Sequence, residues 1–181
     1  MPDDQSTDIL MKLVVAGQPV AAEAQTNVQQ SMREGDMLML GFKAGSFFEV
    51  EDVTLGFSAT STTTAAGAAN KAIDAKEVSI TRQIDAASPM LMQYCFTSTT
   101  LDSASIVKRR ASGTSTSGMG YLRIDFTGVL LTGIDWSDAH AVKETITLIY
   151  REVAITYRPQ LASGKLGAKV NASWAMFGAT S

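Results

Sequence analysis

The chain has 181 residues, 45% hydrophobic and 18% charged, with 15 basic against 18 acidic side chains and a net charge of −3. That length fits one domain, the apolar content can build a core, and the low charge excludes a globally disordered chain. The acidic balance supplies no global positive field to recruit nucleic acid or anionic lipid.

The N-terminus, MPDDQSTD, is acidic and has no Lys or Arg before Lys12. It lacks the charged and apolar regions of a secretory signal peptide. No window approaches the roughly 18 apolar residues of a membrane span. The expectation is synthesis in the cytoplasm, no direct membrane insertion, and any export by a route that reads no N-terminal signal. Residues 1–8 are expected to form a tail.

Ile9 to Ala16 (ILMKLVVA) is apolar on both faces apart from Lys12, as a strand covered on two sides would be. In the polar stretch Gly17 to Gly35, Val20, Ala24, Val28 and Met32 would share a weak helical face. Asp36 to Phe42 is a short strand candidate. Glu51 to Phe57 alternates, with Val53, Leu55 and Phe57 on one face. Ser58 to Asn70 (SATSTTTAAGAAN) and Ala111 to Gly120 (ASGTSTSGMG) are small, polar and uncharged, and read as loops. Lys76 to Ile84 places Val78, Ile80 and Ile84 on one face. Arg82 falls among them, which predicts a strand end or a buried ionic contact.

Ser88-Pro89 reads as an N-cap and first-turn pair opening a helix to about Thr97. Met90, Leu91, Met92, Tyr94, Cys95 and Phe96 leave little of that helix suited to water, so it is expected in the core or against a second chain. Ser103 to Arg109 is a further short strand. Tyr121 to Leu131 alternates, with Leu122, Ile124, Phe126 and Leu130 inward. In Glu144 to Arg158, Ile146, Leu148 and Tyr150 set an even phase, and Val153, Ile155 and Tyr157 an odd one. A period-2 strand cannot change phase without a bulge or corner, which is placed near Arg151–Glu152. Residues 161–181 are read as a C-terminal tail carrying Trp174.

Catalytic chemistry finds little footing. His140 is the one histidine and sits in a polar run, Ser137-Asp138-Ala139-His140, with no G-x-S-x-G elbow elsewhere. One His and one Cys, Cys95, cannot make a zinc site of usual composition or an intrachain disulfide. The glycine pairs Gly118/Gly120 and Gly164/Gly167 fit no nucleotide-binding pattern. Lys108-Arg109-Arg110 reads as a solvated strand end. Asn171-Ala172-Ser173 matches a glycosylation acceptor with no secretory signal to give it meaning. No enzyme class, no cofactor and no metal is expected.

From Lys76 to Gln160 the chain resembles the Hcp (haemolysin-coregulated protein) family of tube proteins of the bacterial type VI secretion system. The resemblance is carried by Arg82, Ile84-Asp85 and Ser88-Pro89 within VSITRQIDAASPMLMQYCFTS, and by the strand ending Ser105-Ile106-Val107-Lys108-Arg109. It continues through the long strand Tyr121 to Leu131, then Glu144, Tyr157-Arg158-Pro159-Gln160 and Trp174. Gly17 to Phe48 is longer than the family's usual link. The resemblance implies a mainly β fold, a compact barrel of two antiparallel sheets with one flanking α-helix, as a single domain over residues 1–181. It also implies a homo-oligomer: hexameric rings stacked into a hollow tube, fired by a contractile sheath and spike or baseplate proteins, with small effector proteins in the lumen. Candidate subunit and ring contacts are Thr62, Thr63, Ala65 and Gly67 in the Ser/Thr-rich stretch, and Met90, Met92 and Tyr94 on the helix. A fused toxin domain is disfavoured, because the stretch after Gln160 is shorter than the roughly 50 residues of even a small domain. A phage-type tail-tube protein and a stand-alone ligand-binding β-barrel are the alternatives.

Overall fold

The computed structural model describes residues 7–24, 26, 28–29, 36–63, 69–112, 115–138, 142–159, 161 and 166–176. In chain order these form β1 (Thr7–Val15), β2 (Gln18–Pro19), a 3-10 turn (Met37–Met39), β3 (Phe48–Val50), β4 (Asp52–Thr54), β5 (Phe57–Thr63), β6 (Ala69–Ala75) and β7 (Val78–Gln83). Then follow the helix α1 (Ser88–Phe96), β8 (Thr100–Ser112), β9 (Ser115–Asp138), β10 (Val142–Ile149), β11 (Glu152–Tyr157) and β12 (Val170–Ala175).

Among the described residues the main sheet has ten strands in the order β2-β1-β8-β9-β10-β7-β4, with β3 on β1, β11 on β9, and β12 on β11. Every pairing is antiparallel. The two sheets expected from the resemblance are thus two halves of one, because β9 is long enough to serve both. Its first part pairs with β11 through Leu122–Thr127, and its last part with β10 from Leu130 to Asp138. Between them Gly128 takes φ +60°. The inward phase changes there: Ile124 and Phe126 are buried before it, Val129 and Leu131 after it. The inward position expected for Leu130 therefore belongs to its two neighbours.

The bend in the facing strand lies where the phase switch predicted it. Ile146, Leu148 and Tyr150 are buried, the strand breaks at Tyr150–Arg151, and Val153 is buried on the new phase. Arg151 N donates to Thr127 O at 3.0 Å, so both long strands bend side by side. The other margin is residues 48–54. Val50 and its neighbours pair with β1, Glu51 N donates to Thr81 O at 2.8 Å, and Val53 pairs with Ile80 on β7. This segment touches both ends of the curled sheet, but its ladder changes partner at Glu51 and does not close continuously. The expected strand Glu51 to Phe57 is cut accordingly: Leu55 and Gly56 leave the ladder, and Phe57 starts β5.

The interior is filled by Met11, Leu13, Phe48, Ile80, Ile106, Phe126 and Leu148, all at 0–1% exposure. Buried side chains of this size stabilise by about 1.5–3 kcal/mol each before entropy is counted. A second cluster sits on the other face of β1 and β8, where Leu10 and Val107 meet Val28, Met39, Phe42 and Phe47. This explains why β1 is apolar on both sides. Val20, Ala24 and Val28 are buried as the helical pattern suggested, yet Gln18–Pro19 is strand and residues 20–24 are irregular. Met32 lies outside the described residues. Asp36 to Phe42 is a 3-10 turn and loop, not a strand, because Asp36 caps it: its Oδ1 accepts from Leu38 N.

Both small-residue stretches read as loops are largely strands. β5 and β6 make a separate two-stranded hairpin from Phe57↔Ala75 to Thr63↔Ala69, and the end of β8 meets the start of β9 at Ser112↔Ser115. Antiparallel hairpin arms satisfy each other's backbone groups locally, and the Thr-rich composition suits strands. Part of the expected C-terminal tail is likewise β12, and β1 begins inside the expected N-terminal tail.

Candidate assembly surfaces and the buried ionic network

The sequence signature converges on one buried cluster. Arg82, 1% exposed, projects inward from β7, and its Nε and Nη2 donate to Glu144 Oε1 at 2.9 and 2.8 Å. Its Nη2 also donates to Ser88 Oγ at 2.8 Å, and its Nη1 lies 3.0 Å from Asp85 Oδ1. The guanidinium rests 4.6 Å from the centre of the Phe48 ring. Glu144 is fully buried and its second oxygen accepts from Trp136 Nε1 at 2.9 Å. A buried cation of this kind is tolerated only with such complete pairing.

Ser88 therefore does not cap the helix. Ala87 occupies the N-cap position without a side-chain bond, Pro89 sits in the first turn, and the Ser88 hydroxyl serves Arg82 and accepts from Asp85 N. Asp85 Oδ1 accepts from Ala87 N, turning the chain into α1. The cluster ties β7, β10, β3 and the helix entrance together. Through Ser88 and Asp85 it fixes where α1 leaves the sheet.

On α1, Leu91 faces the core and is fully buried, while Tyr94 and Cys95 are half-buried and pack against it. Met92 is half-buried, Met90 is exposed, and Phe96 is 79% exposed. The helix is thus partly sunk in the core and partly bare. Phe96, which the candidate contacts do not include, is the most exposed large apolar side chain of α1, and Met90 is exposed as well.

A second surface lies at β12. Among the described residues it pairs with β11 alone, and all six of its own residues are exposed, Val170 and Trp174 among them. Among the described residues its other edge has no partner strand, and such an edge offers backbone groups to a neighbour. The alternation of Val170, Ala172 and Trp174 is the sequence signal that marks it as a strand. The Trp174 ring stacks on Phe57 at the base of the hairpin, centroids 6.1 Å apart and tilted by 42°. Of the expected contacts in the hairpin, Thr62 and Thr63 end β5, and Ala65 and Gly67 lie outside the described residues.

Lys108-Arg109-Arg110 is not a solvated strand end. Arg109 is buried, its Nε and Nη2 donating to Gly118 O across the β8–β9 bulge, and Arg110 lies 4.0 Å over the Tyr121 ring. Nearby, Asp36 Oδ2 accepts from Gly120 N at 2.7 Å, and Arg123 Nη1 donates to the carbonyls of Leu38 and Leu40. Together they fasten the 3-10 turn to β9. Burial pushes the Asp36 carboxyl up and the Arg109 guanidinium down, each disfavouring its charged form. An open cleft of about 430 Å³ runs between β1, β3 and the end of β7, edged by Asp8, Glu23, Glu49, Glu51 and Asp85. Glu51 is occupied by Lys143, Nζ to Oε2 at 2.5 Å. Among the described residues no group of three or more His, Cys, Asp or Glu is placed to hold a metal ion, and no helix is long and apolar enough to cross a membrane. His140 is outside the described residues.

Residues 25–157 match the family described as Type VI secretion system effector, Hcp. Protein hcp1 of Pseudomonas aeruginosa is 30% identical over 106 residues, a stretch covering 56% of this chain and 64% of that protein. The match thus spans a little under two thirds of that relative's length. Among solved structures, a type six secretion system protein superposes with a TM-score of 0.74 at 20% identity, covering 94% of this chain and 96% of its own. Hcp1 from E. coli EAEC 042 gives 0.69 at 16% identity, covering 95% and 100%. Hcp1 from Salmonella typhimurium gives 0.67 at 20%, covering 94% and 95%. The solved structures share the fold with this chain, and the family match runs from the second core cluster through Arg82, α1 and Glu144 to the end of β11: the chain belongs to the Hcp family of type VI secretion proteins.

Proposed function

We propose that this chain is the structural subunit of a type VI secretion inner tube. Six copies close a ring, rings stack into a hollow tube, and small effector proteins ride in the lumen. Contractile sheath and spike or baseplate proteins are its partners, and it leaves the cell with the tube. The observation that carries the reading is the family match over residues 25–157. The geometry supports it in two ways. The bare β12 edge and the exposed Phe96 and Met90 demand cover, and a heterologous contact closed by rotation gives that cover without open-ended aggregation. The side chains of the main core cluster pack against one another inside the curled sheet, which speaks against a stand-alone ligand-binding barrel.

Light scattering of the purified chain at micromolar concentration should give a mass near six times 19.2 kDa, and negative-stain micrographs should show annular particles and stacks. A monomer at high concentration and low salt would overturn the reading.

A further inference from the structure

The β5–β6 hairpin hydrogen-bonds as its own two-stranded sheet and is not part of the ten-stranded ladder. It is attached through two short joints. Leu55–Gly56 leads in and Lys76–Glu77 leads out, with Lys76 N donating to Gly56 O at 3.1 Å. A two-stranded hairpin is marginal by itself in water, so its orientation depends on what its base rests on. Here Phe57, the first residue of β5, stacks on Trp174 of β12, and the rings are 41% and 42% exposed. Trp174 in turn stands opposite Val153, which is 1% exposed and part of the core. The rigid sheet thus presents one aromatic ring to the hairpin, at a surface where the contact opens without unfolding the core.

We propose that the Phe57–Trp174 stack is a latch: it holds the hairpin against the C-terminal strand and sets the angle at which the hairpin meets a second copy of this chain. The angle-setting half rests on the tube-subunit reading above; the latch itself does not. Trp174 acts as a positioning residue through Phe57. It couples the β12 edge to the hairpin, so a neighbour that covers one surface adjusts the other.

Amide hydrogen exchange on the full chain tests the latch. In Phe57→Ala and in Trp174→Ala, amides of β5 and β6 should exchange about tenfold faster, while those of Ile106, Phe126 and Ile146 keep their protection. The double variant should add nothing further, since each change opens the same contact. Trp174→Phe, which keeps a ring, should restore protection. In a Trp136→Phe background Trp174 is the sole tryptophan, and Phe57→Ala should shift its emission to the red. Hairpin protection that is equal in the parent and both alanine variants overturns the latch. Hairpin amides already unprotected in the parent overturn it as well.

Micrographs then separate the two ideas. Rings of Trp174→Ala that keep their mass but stack poorly support the angle-setting half, and equal stacking overturns it. A monomeric parent defeats the tube-subunit reading and this half with it, while the exchange result still decides the latch.

Discussion

Arg82 and Glu144 sit at 1% and 0% exposure, and each finds its partner in the other. Arg82→Ala strands Glu144 in the core, and should cost about 3–5 kcal/mol, read as a lower urea midpoint. Replacing both, Arg82→Met with Glu144→Leu, should recover most of that loss, because the Trp136 Nε1 partner is half-exposed and can turn to water. Tyr150 is the opposite case. Its ring packs on Phe126 at 4.6 Å, but its buried hydroxyl has no hydrogen-bond partner among the described residues, and burial pushes its ionisation up. Tyr150→Phe removes an unsatisfied group and keeps the ring. It should leave stability unchanged or raise it by about 1 kcal/mol, measured by thermal unfolding. The Arg82 contact is legible from sequence, since a charge inside an apolar phase must be paired. Its partners are not, for Glu144 is far along the chain and Ser88 looked like a helix cap.

The paired bend of β9 and β10–β11 turns a flat sheet into one that wraps a core. Gly128 makes it possible: φ is +60°, and a Cβ there would stand 2.6 Å from Arg151 Cδ. Arg151 is exposed and can swing away, so the backbone conformation dominates. Gly128→Ala should cost about 1–2 kcal/mol, seen in urea unfolding, with more for a β-branched residue. The margin at residues 48–54 carries the Glu51–Lys143 clasp, and the Lys143 hydrogen bond holds the Glu51 carboxyl below its ordinary 4.5. The folded group titrates lower than the unfolded one, so the clasp contributes fully above pH 4.5 and is lost as pH falls through the folded value. Both side chains are partly exposed, which makes the contribution small and salt-sensitive. Glu51→Gln should therefore flatten the acid limb of a stability-against-pH curve slightly and leave the neutral plateau nearly unmoved. The corner near Arg151 was predictable because a period-2 pattern cannot change phase silently. The matching corner in β9 was not, since a lone glycine does not announce a positive φ.

At the scale of the whole molecule, α1 and β12 leave apolar surface that a ring would cover. Phe96→Asp and Met90→Asp leave the monomer core untouched, since both side chains point outward. If either lies in a subunit contact, burying the unpaired charge costs several kcal/mol and sedimentation velocity should show monomers at micromolar concentration. Thr62→Asp, on the hairpin, is expected to spare the ring and weaken stacking. Rings from all three variants, with stacks of ordinary length, would move the contacts to other faces.

The family, the strand-rich class, the phase switch at Arg151 and the need to pair Arg82 are all legible in the order of the residues. Each follows from local periodicity, from a charge in an apolar phase, or from motif order. Tertiary structure alone decided that the two expected sheets are one, because hydrogen-bond partners along β9 come from strands distant in sequence. It also decided that the Ser/Thr-rich stretches are hairpin arms and that Arg109 is buried. Small polar residues carry too weak a periodicity to declare a strand, and a basic side chain does not reveal which carbonyls will surround it. The Phe57–Trp174 contact is of the same kind: two aromatic residues more than 100 positions apart, brought together only when β12 returns to the sheet.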